Sequence, residues 1–269
     1  MRIWDLHCHL RGVKGNSPGE RIEELLRYAD RMGIERMCVF MGMQWHQDPH
    51  PEELRHQNDE VLTAIRGRED RAFGFVYLNP RYLQESLAEL DRCVRDGPMV
   101  GVKLWVAQRC NTPEVEAIFA RATDLEAVVF QHTWLKIGGT PAYPGGGNLR
   151  GESTPQDVAE AVMRHPSLRL ICGHSGGDWE LGIRAIRSCS HVSAGLGGSN
   201  PTSGMVEMGV RELGAERLVY GSDAGGRSYA SQLAKVIGAE ISKPEKALIL
   251  GGNLRRLLGP ILTAKGMSR

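Results

Sequence analysis

His7 and His9 stand two residues apart in the opening stretch "MRIWDLHCHLRG", behind the apolar residues Ile3, Trp4 and Leu6. Alternate side chains of an extended strand point the same way, so Asp5, His7 and His9 fall on one face. Two imidazoles and a carboxylate at the end of a buried strand form a costly arrangement unless something binds there. Alone, the pair reads equally well as surface histidines at a frayed terminus. The chemistry becomes specific through what recurs downstream. Polar residues interrupt apolar runs at Lys103 in "GVKLW", His132 in "FQHTW", His174 in "ICGHSGG" and Asp223 in "YGSDAGG". Each has an ordinary alternative: a lysine snorkelling from its strand, a hydrogen-bonded core histidine, a glycine turn, an aspartate capping the next helix. Together, histidines with one carboxylate are the ligand set of a divalent transition metal, and the pattern points to a metal centre.

These residues need elements to position them. Eight short apolar runs, at 2–7, 36–41, 72–78, 99–106, 127–132, 168–174, 191–196 and 217–223, read as strands covered on both faces. Between them lie amphipathic stretches with helix start signals. "SPGERIEELLRYADRMG" opens on Ser-Pro and stops at Gly33, and "TPEVEAIFARATD", "STPQDVAEAVMRHP" and "GDWELGIRAIRS" have similar openings. The tail "KPEKALILGGNLRRLLG" reads as a terminal helix interrupted at Gly251 and Gly252. Strict alternation over 269 residues predicts one α/β domain, residues 1–269, closed as a (β/α)8 TIM barrel rather than an open doubly wound sheet. The polar residues then fall at the C-terminal strand ends, where barrel enzymes do chemistry. The irregular stretch 140–155 follows the fifth strand and reads as a mobile flap or a passive loop. "GLGGSN" at 195–200 follows the seventh strand, where barrels often bind phosphate; lacking a full phosphate motif, it reads first as a tight turn.

Composition narrows the partners. Lys and Arg number 33 against 32 Asp and Glu, a formal charge of +1, so nothing points to nucleic acid or an anionic membrane. No apolar run approaches the ~20 residues that span a bilayer, and the opening residues lack a signal-peptide series. Six scattered cysteines without a C-x-x-C pair read as free thiols in a reducing cytoplasm. A homo-oligomer is left open. The loops carry Arg11, Gln44, Trp45, His46, Arg109, Trp134, Lys136 and Arg227. Several cations at the mouth suit a small carboxylate-bearing substrate. Arg109, in the short turn after the fourth strand, is the first candidate to grip it, with Lys136 and Arg227 beside it and Trp45 and Trp134 as apolar walls.

"DLHCHL", "GVKLW", "FQHTW", "ICGHSGG" and "YGSDAGG", in that order, resemble the amidohydrolase superfamily, and within it the branch containing aminocarboxymuconate semialdehyde decarboxylase. The resemblance runs from the first strand to the eighth. It implies that His7, His9, His132 and Asp223 ligate a divalent metal, with zinc expected, and that His174 binds a second metal or acts on substrate or water. It implies that Asp223 also transfers a proton. Some branches bridge two metals through a carboxylated lysine where Lys103 stands. One metal per chain is the expectation here, with Lys103 an uncarboxylated amine near the substrate; two metals on a carboxylated Lys103 is the alternative. The first functional reading is metal-dependent hydrolysis of an amide, lactone or ester by activated water. The alternative is a lyase, a non-oxidative decarboxylase or hydratase using the same site. A non-catalytic binding protein fits less well, because a decayed enzyme is expected to lose a ligand.

Overall fold

The eight apolar runs form parallel strands in sequential order: β1 (Ile3–His9), β2 (Ile34–Phe40), β3 (Ala72–Leu78), β4 (Gly101–Leu104), β5 (Val128–Gln131), β6 (Leu170–Cys172), β7 (Val192–Gly195) and β8 (Leu218–Val219). The computed structural model describes residues 1–135, 147–198 and 203–268. Backbone bonds from Leu6 N to Tyr220 O (3.1 Å) and from His9 N to Ala224 O (2.8 Å) join β1 to the β8 end. The sheet therefore closes on itself as a single (β/α)8 TIM barrel.

The helices are α1 (Pro18–Arg31), α2 (Pro51–Ile65), α3 (Leu83–Leu90), α4 (Pro113–Asp124), α5 (Pro155–Val162), α6 (Trp179–Ala185), α7 (Met205–Leu213), α8 (Tyr229–Ile237), α9 (Lys243–Ala247) and α10 (Asn253–Ala264). Their starts follow the sequence signals. Ser17 Oγ accepts Glu20 N ahead of α1, and Thr154 and Asp157 form a capping box on α5. The expected break in the tail helix is a π turn, Leu248–Gly252. A Cβ on Gly251 would stand 2.4 Å from Arg2 O, so glycine there lets the tail close against the start of β1.

Several strands end earlier than their apolar runs suggest. His132 lies one residue beyond β5, His174 two beyond β6, and Asp223 four beyond β8. These residues leave the ladder and turn over the barrel mouth. β1 also departs from simple alternation: Asp5 pairs with Met37 and Cys8 with Val39, a register shift between them. The shift leaves the His7 N–H outside regular pairing, and Asp5 Oδ1 accepts it at 2.9 Å. Beneath the mouth, Phe40, Phe75 and Phe130 pack ring to ring, with centroids 4.6 and 5.0 Å apart, and form the site's floor.

Candidate metal centre

Two walls of the barrel supply the polar groups. On the first, at the β1–β8 seam, one ligand atom each from His7, His9 and Asp223 lies within 4.8 Å of the others. His7 Nε2 and His9 Nε2 are 2.8 Å apart, and Asp223 Oδ1 is 3.4 and 3.2 Å from them. His9 Nδ1 is 2.9 Å from Phe40 O. A carbonyl can only accept, so Nδ1 carries the hydrogen and the Nε2 lone pair faces the cluster. One proton on His7 can serve one of these contacts; the others set lone pair against lone pair or carboxylate. A bound cation relieves them all, and two imidazole nitrogens with a carboxylate oxygen suit a divalent transition metal.

The electrostatics agree. Burial drives His7 well below the ordinary histidine pKa, opposed by Asp223 and assisted by Lys103 and its neighbouring imidazoles, so it is neutral, the ligating form. Burial alone would raise Asp223, yet its interactions with the imidazoles of His7, His9 and His174 outweigh it and hold its carboxyl well below the usual range. Asp5 is pushed up to about 6 by burial. Its Oδ1 accepts both His7 N and Ser222 N, each at 2.9 Å, so it ties the segments that carry His7 and Asp223 together through backbone rather than orienting an imidazole.

The second wall, at β5 and β6, carries His132 and His174. His174 sits in a left-handed turn (φ 55°), as does Asp223 (φ 57°); such backbone costs about 1–3 kcal/mol for a residue with a side chain. "GHSGG" is therefore a turn that also delivers its histidine. His174 Nδ1 is 2.7 Å from Gly197 O, and its Nε2 is 3.0 Å from His132 Nδ1. His132 Nε2 is 3.0 Å from Glu152 Oε1. Burial lowers both histidines, His174 to about 3, with Glu152 opposing the fall at His132. The rings of His7 and His174 are 5.2 Å apart, so His174 stands next to the seam cluster and His132 one imidazole further out.

Lys103 rises between the rings, its Nζ 4.2 Å from the Phe130 centroid and 5.3 Å from that of Phe40. Burial brings its pKa down to about 7, opposed by the Asp223 charge. Aromatic side chains roof the cluster. Trp45 meets His9 edge-on at 4.5 Å, Trp105 lies 5.6 Å from Trp45, and Trp134 stacks parallel to His132 at 6.3 Å. Arg11 covers the outer face of Trp45.

The expected substrate cations are distributed differently. Arg109 points into a separate cavity of about 520 Å³ bounded by Asp48, Arg81 and Arg150. Its guanidinium is 3.6 Å from Asp157 and its Nε bonds Arg150 O. Arg227 Nε donates to Gly198 O at 3.1 Å. Lys136, residues 140–146 of the expected flap and residues 199–200 of "GLGGSN" lie outside the described residues.

Two contributors were missed in the sequence. Glu152 is one, twenty positions from the histidine it holds. Gly198 is the other. At φ +86° it lies so close that a Cβ would stand 2.2 Å from His174 Nδ1 and 2.9 Å from Asp223 Oδ2. "GLGG" is thus a turn that makes room for the site, a signal present as glycine but readable only once the neighbours are known.

The family model described as amidohydrolase matches residues 4–259. The 2-amino-3-carboxymuconate-6-semialdehyde decarboxylase of Dictyostelium discoideum is 24% identical over 276 residues, covering 90% of this chain and 76% of that one. Among solved structures, a 2,6-dihydroxybenzoate decarboxylase from Rhizobium superposes with a TM-score of 0.75 at 17% identity, covering 97% of this chain and 99% of that one. A dihydroxybenzoic acid decarboxylase from Polaromonas sp. JS666, solved with manganese and 2-nitroresorcinol, gives 0.72 at 15% identity, covering 97% of both chains. At these identities the structural likenesses establish the fold.

Proposed function

The chain belongs to the amidohydrolase family, and on that footing we propose that it is a metal-dependent, non-oxidative decarboxylase of a small aromatic or dienoic carboxylate. The observation that carries this reading is the placement of Asp223 beside His7 and His9 beneath the indoles of Trp45, Trp105 and Trp134. A flat conjugated acid fits between such walls, with a carboxylate at hand to reprotonate carbon. The named relatives, all decarboxylases, add weight. Hydrolysis, the first reading of the sequence, therefore yields to its alternative.

His7, His9 and Asp223 would hold one divalent ion, with His132 completing the set. Zinc remains the expectation, and the manganese of the Polaromonas protein makes it the second metal to test. When bound, the ion supplies positive charge that draws electron density from the reacting acid. Lys103 faces the same space; a substrate anion raises its affinity for a proton and makes it a cation that orients the carboxylate. His174, its Nδ1–H held by Gly197 O, offers a lone pair. Asp223 accepts a proton from a water or substrate hydroxyl. As the carbon–carbon bond breaks, its electron pair stays on the substrate carbon, CO2 leaves, and Asp223 returns the proton to that carbon. Trp134 lines the pocket. The six thiols, free and buried, fit the cytoplasmic setting expected of them, and no helix among the described residues is long and apolar enough to cross a membrane.

The test is a panel assay on protein loaded with zinc or manganese. Hydroxybenzoates, carboxyvanillate and a carboxymuconate semialdehyde are offered beside lactones, esters and N-acyl amino acids. CO2 release with loss of one carboxyl group supports the reading. Turnover confined to the lactones, esters or amides, without CO2, restores the hydrolase.

A further inference from the structure

Residues 147–153, which lead into α5, bond to the segments that follow β4 and β5. Ser153 O accepts Trp134 N at 2.9 Å, and Ser153 Oγ accepts Cys110 N at 3.0 Å. Glu152, buried at 5% exposure, accepts Leu149 N on Oε2 at 3.0 Å and faces His132 Nε2 with Oε1 at 3.0 Å. A carboxylate accepts, so the hydrogen of neutral His132 sits on Nε2 and its lone pair on Nδ1. That lone pair meets His174 Nε2 at 3.0 Å. The Gly197 carbonyl fixes His174 in the opposite sense, with its hydrogen on Nδ1. Two lone pairs thus face each other beside the seam cluster, an arrangement that a cation stabilises and a second hydrogen bond cannot.

We propose that Glu152 is a positioning residue: it holds His132 in the Nε2–H tautomer, aims the Nδ1 lone pair inward, and so makes His132 a metal donor. The idea rests on His132 serving the metal, and it does not depend on which reaction the metal supports. Removing a carboxylate that orients a ligating histidine typically weakens metal binding about 10–100-fold.

The probe is zinc or manganese alone, titrated into the full chain against a competing chelator. Glu152→Gln is the decisive variant, since it keeps the size but offers an amide N–H to His132 Nε2 and stabilises the wrong tautomer. Metal affinity is expected to fall about 10–100-fold while the melting temperature of the metal-free protein stays near that of the parent. Glu152→Asp, which keeps the carboxylate, recovers part of the loss. Long-range proton–nitrogen spectra of the metal-free parent should show His132 protonated on Nε2, with an Nδ1-protonated form growing in Glu152→Gln. Parental metal affinity in Glu152→Gln, or an Nδ1 proton on His132 in the parent, overturns the proposal. Both readouts are indifferent to whether the enzyme is a decarboxylase or a hydrolase.

Discussion

The two walls of the site are held by different means. At the β1–β8 seam the donors are fixed by backbone: His7 and His9 ride a strand, Asp223 a tight turn, and Asp5 bonds the N–H groups of His7 and Ser222 together. At β5–β6 the donors are fixed by side chains and loops: Glu152 and Gly197 O set the hydrogen positions of His132 and His174. Backbone fixing survives loss of a loop, whereas side-chain fixing depends on a loop being seated. The seam should therefore provide most of the metal affinity and the far wall should tune it.

The sharpest break of that asymmetry removes a seam donor. His9→Ala deletes a lone pair that nothing nearby replaces, so the protein should retain no metal through a desalting column and show the activity of stripped enzyme. Elemental analysis checks this, and the parent should hold close to one equivalent. A smaller effect is expected where the two walls meet. Gly198→Ala forces a methyl to 2.2 Å from His174 Nδ1 and 2.9 Å from Asp223 Oδ2, and a loss of about 10²-fold in kcat/KM is expected from misplacing groups by about 1 Å. Steady-state kinetics at saturating metal read it; parental kinetics would mean that the loop yields freely.

Lys103 separates stability from function. Its folded pKa, about 7, lies below the ordinary 10.5. Between those values the unfolded chain binds more protons, so this residue's contribution to stability rises with pH through that window and its cost is fully present below about pH 7. Lys103→Met should raise the melting temperature of the metal-free protein most below pH 7, with the gap closing toward pH 10.5. Thermal melts across that range check the sign. The smallest effect is expected of Arg109→Ala. Its guanidinium already faces Asp157 across a half-exposed pair, worth about 0–1 kcal/mol, so kcat/KM should change less than about threefold. A tenfold rise in KM would bring back the carboxylate grip expected from the sequence.

What could be read in the sequence divides along the same line. The H-x-H pair, the strand-end positions of His132, His174 and Asp223, and the alternation of apolar runs with capped helices were legible because each is local in the chain. The irregularity in β1 was not, because register depends on the partner strand; of the two roles open to a buried Asp5, orienting an imidazole or bonding backbone, the fold takes the second. Glu152 was hidden for a similar reason. A single glutamate in a glycine-rich loop carries no period, and only the folded loop brings it to His132. Arg109 was legible as a cation at the mouth, but its direction is set by Asp157, which comes from α5, one βα unit further along the chain.

The central claim is that Asp223 both holds the metal and moves the proton. Asp223→Asn distinguishes these roles, because an amide still coordinates weakly but has no useful basicity near neutral pH. The measurement is kcat of Asp223→Asn and of the parent on an accepted acid, across added zinc or manganese up to saturation. General acid–base catalysis contributes about 10²–10⁴-fold, so a deficit of that size should persist in the variant after the metal site is full. Recovery of the parental kcat by metal alone would contradict the account and leave Asp223 a ligand without a part in the proton transfer.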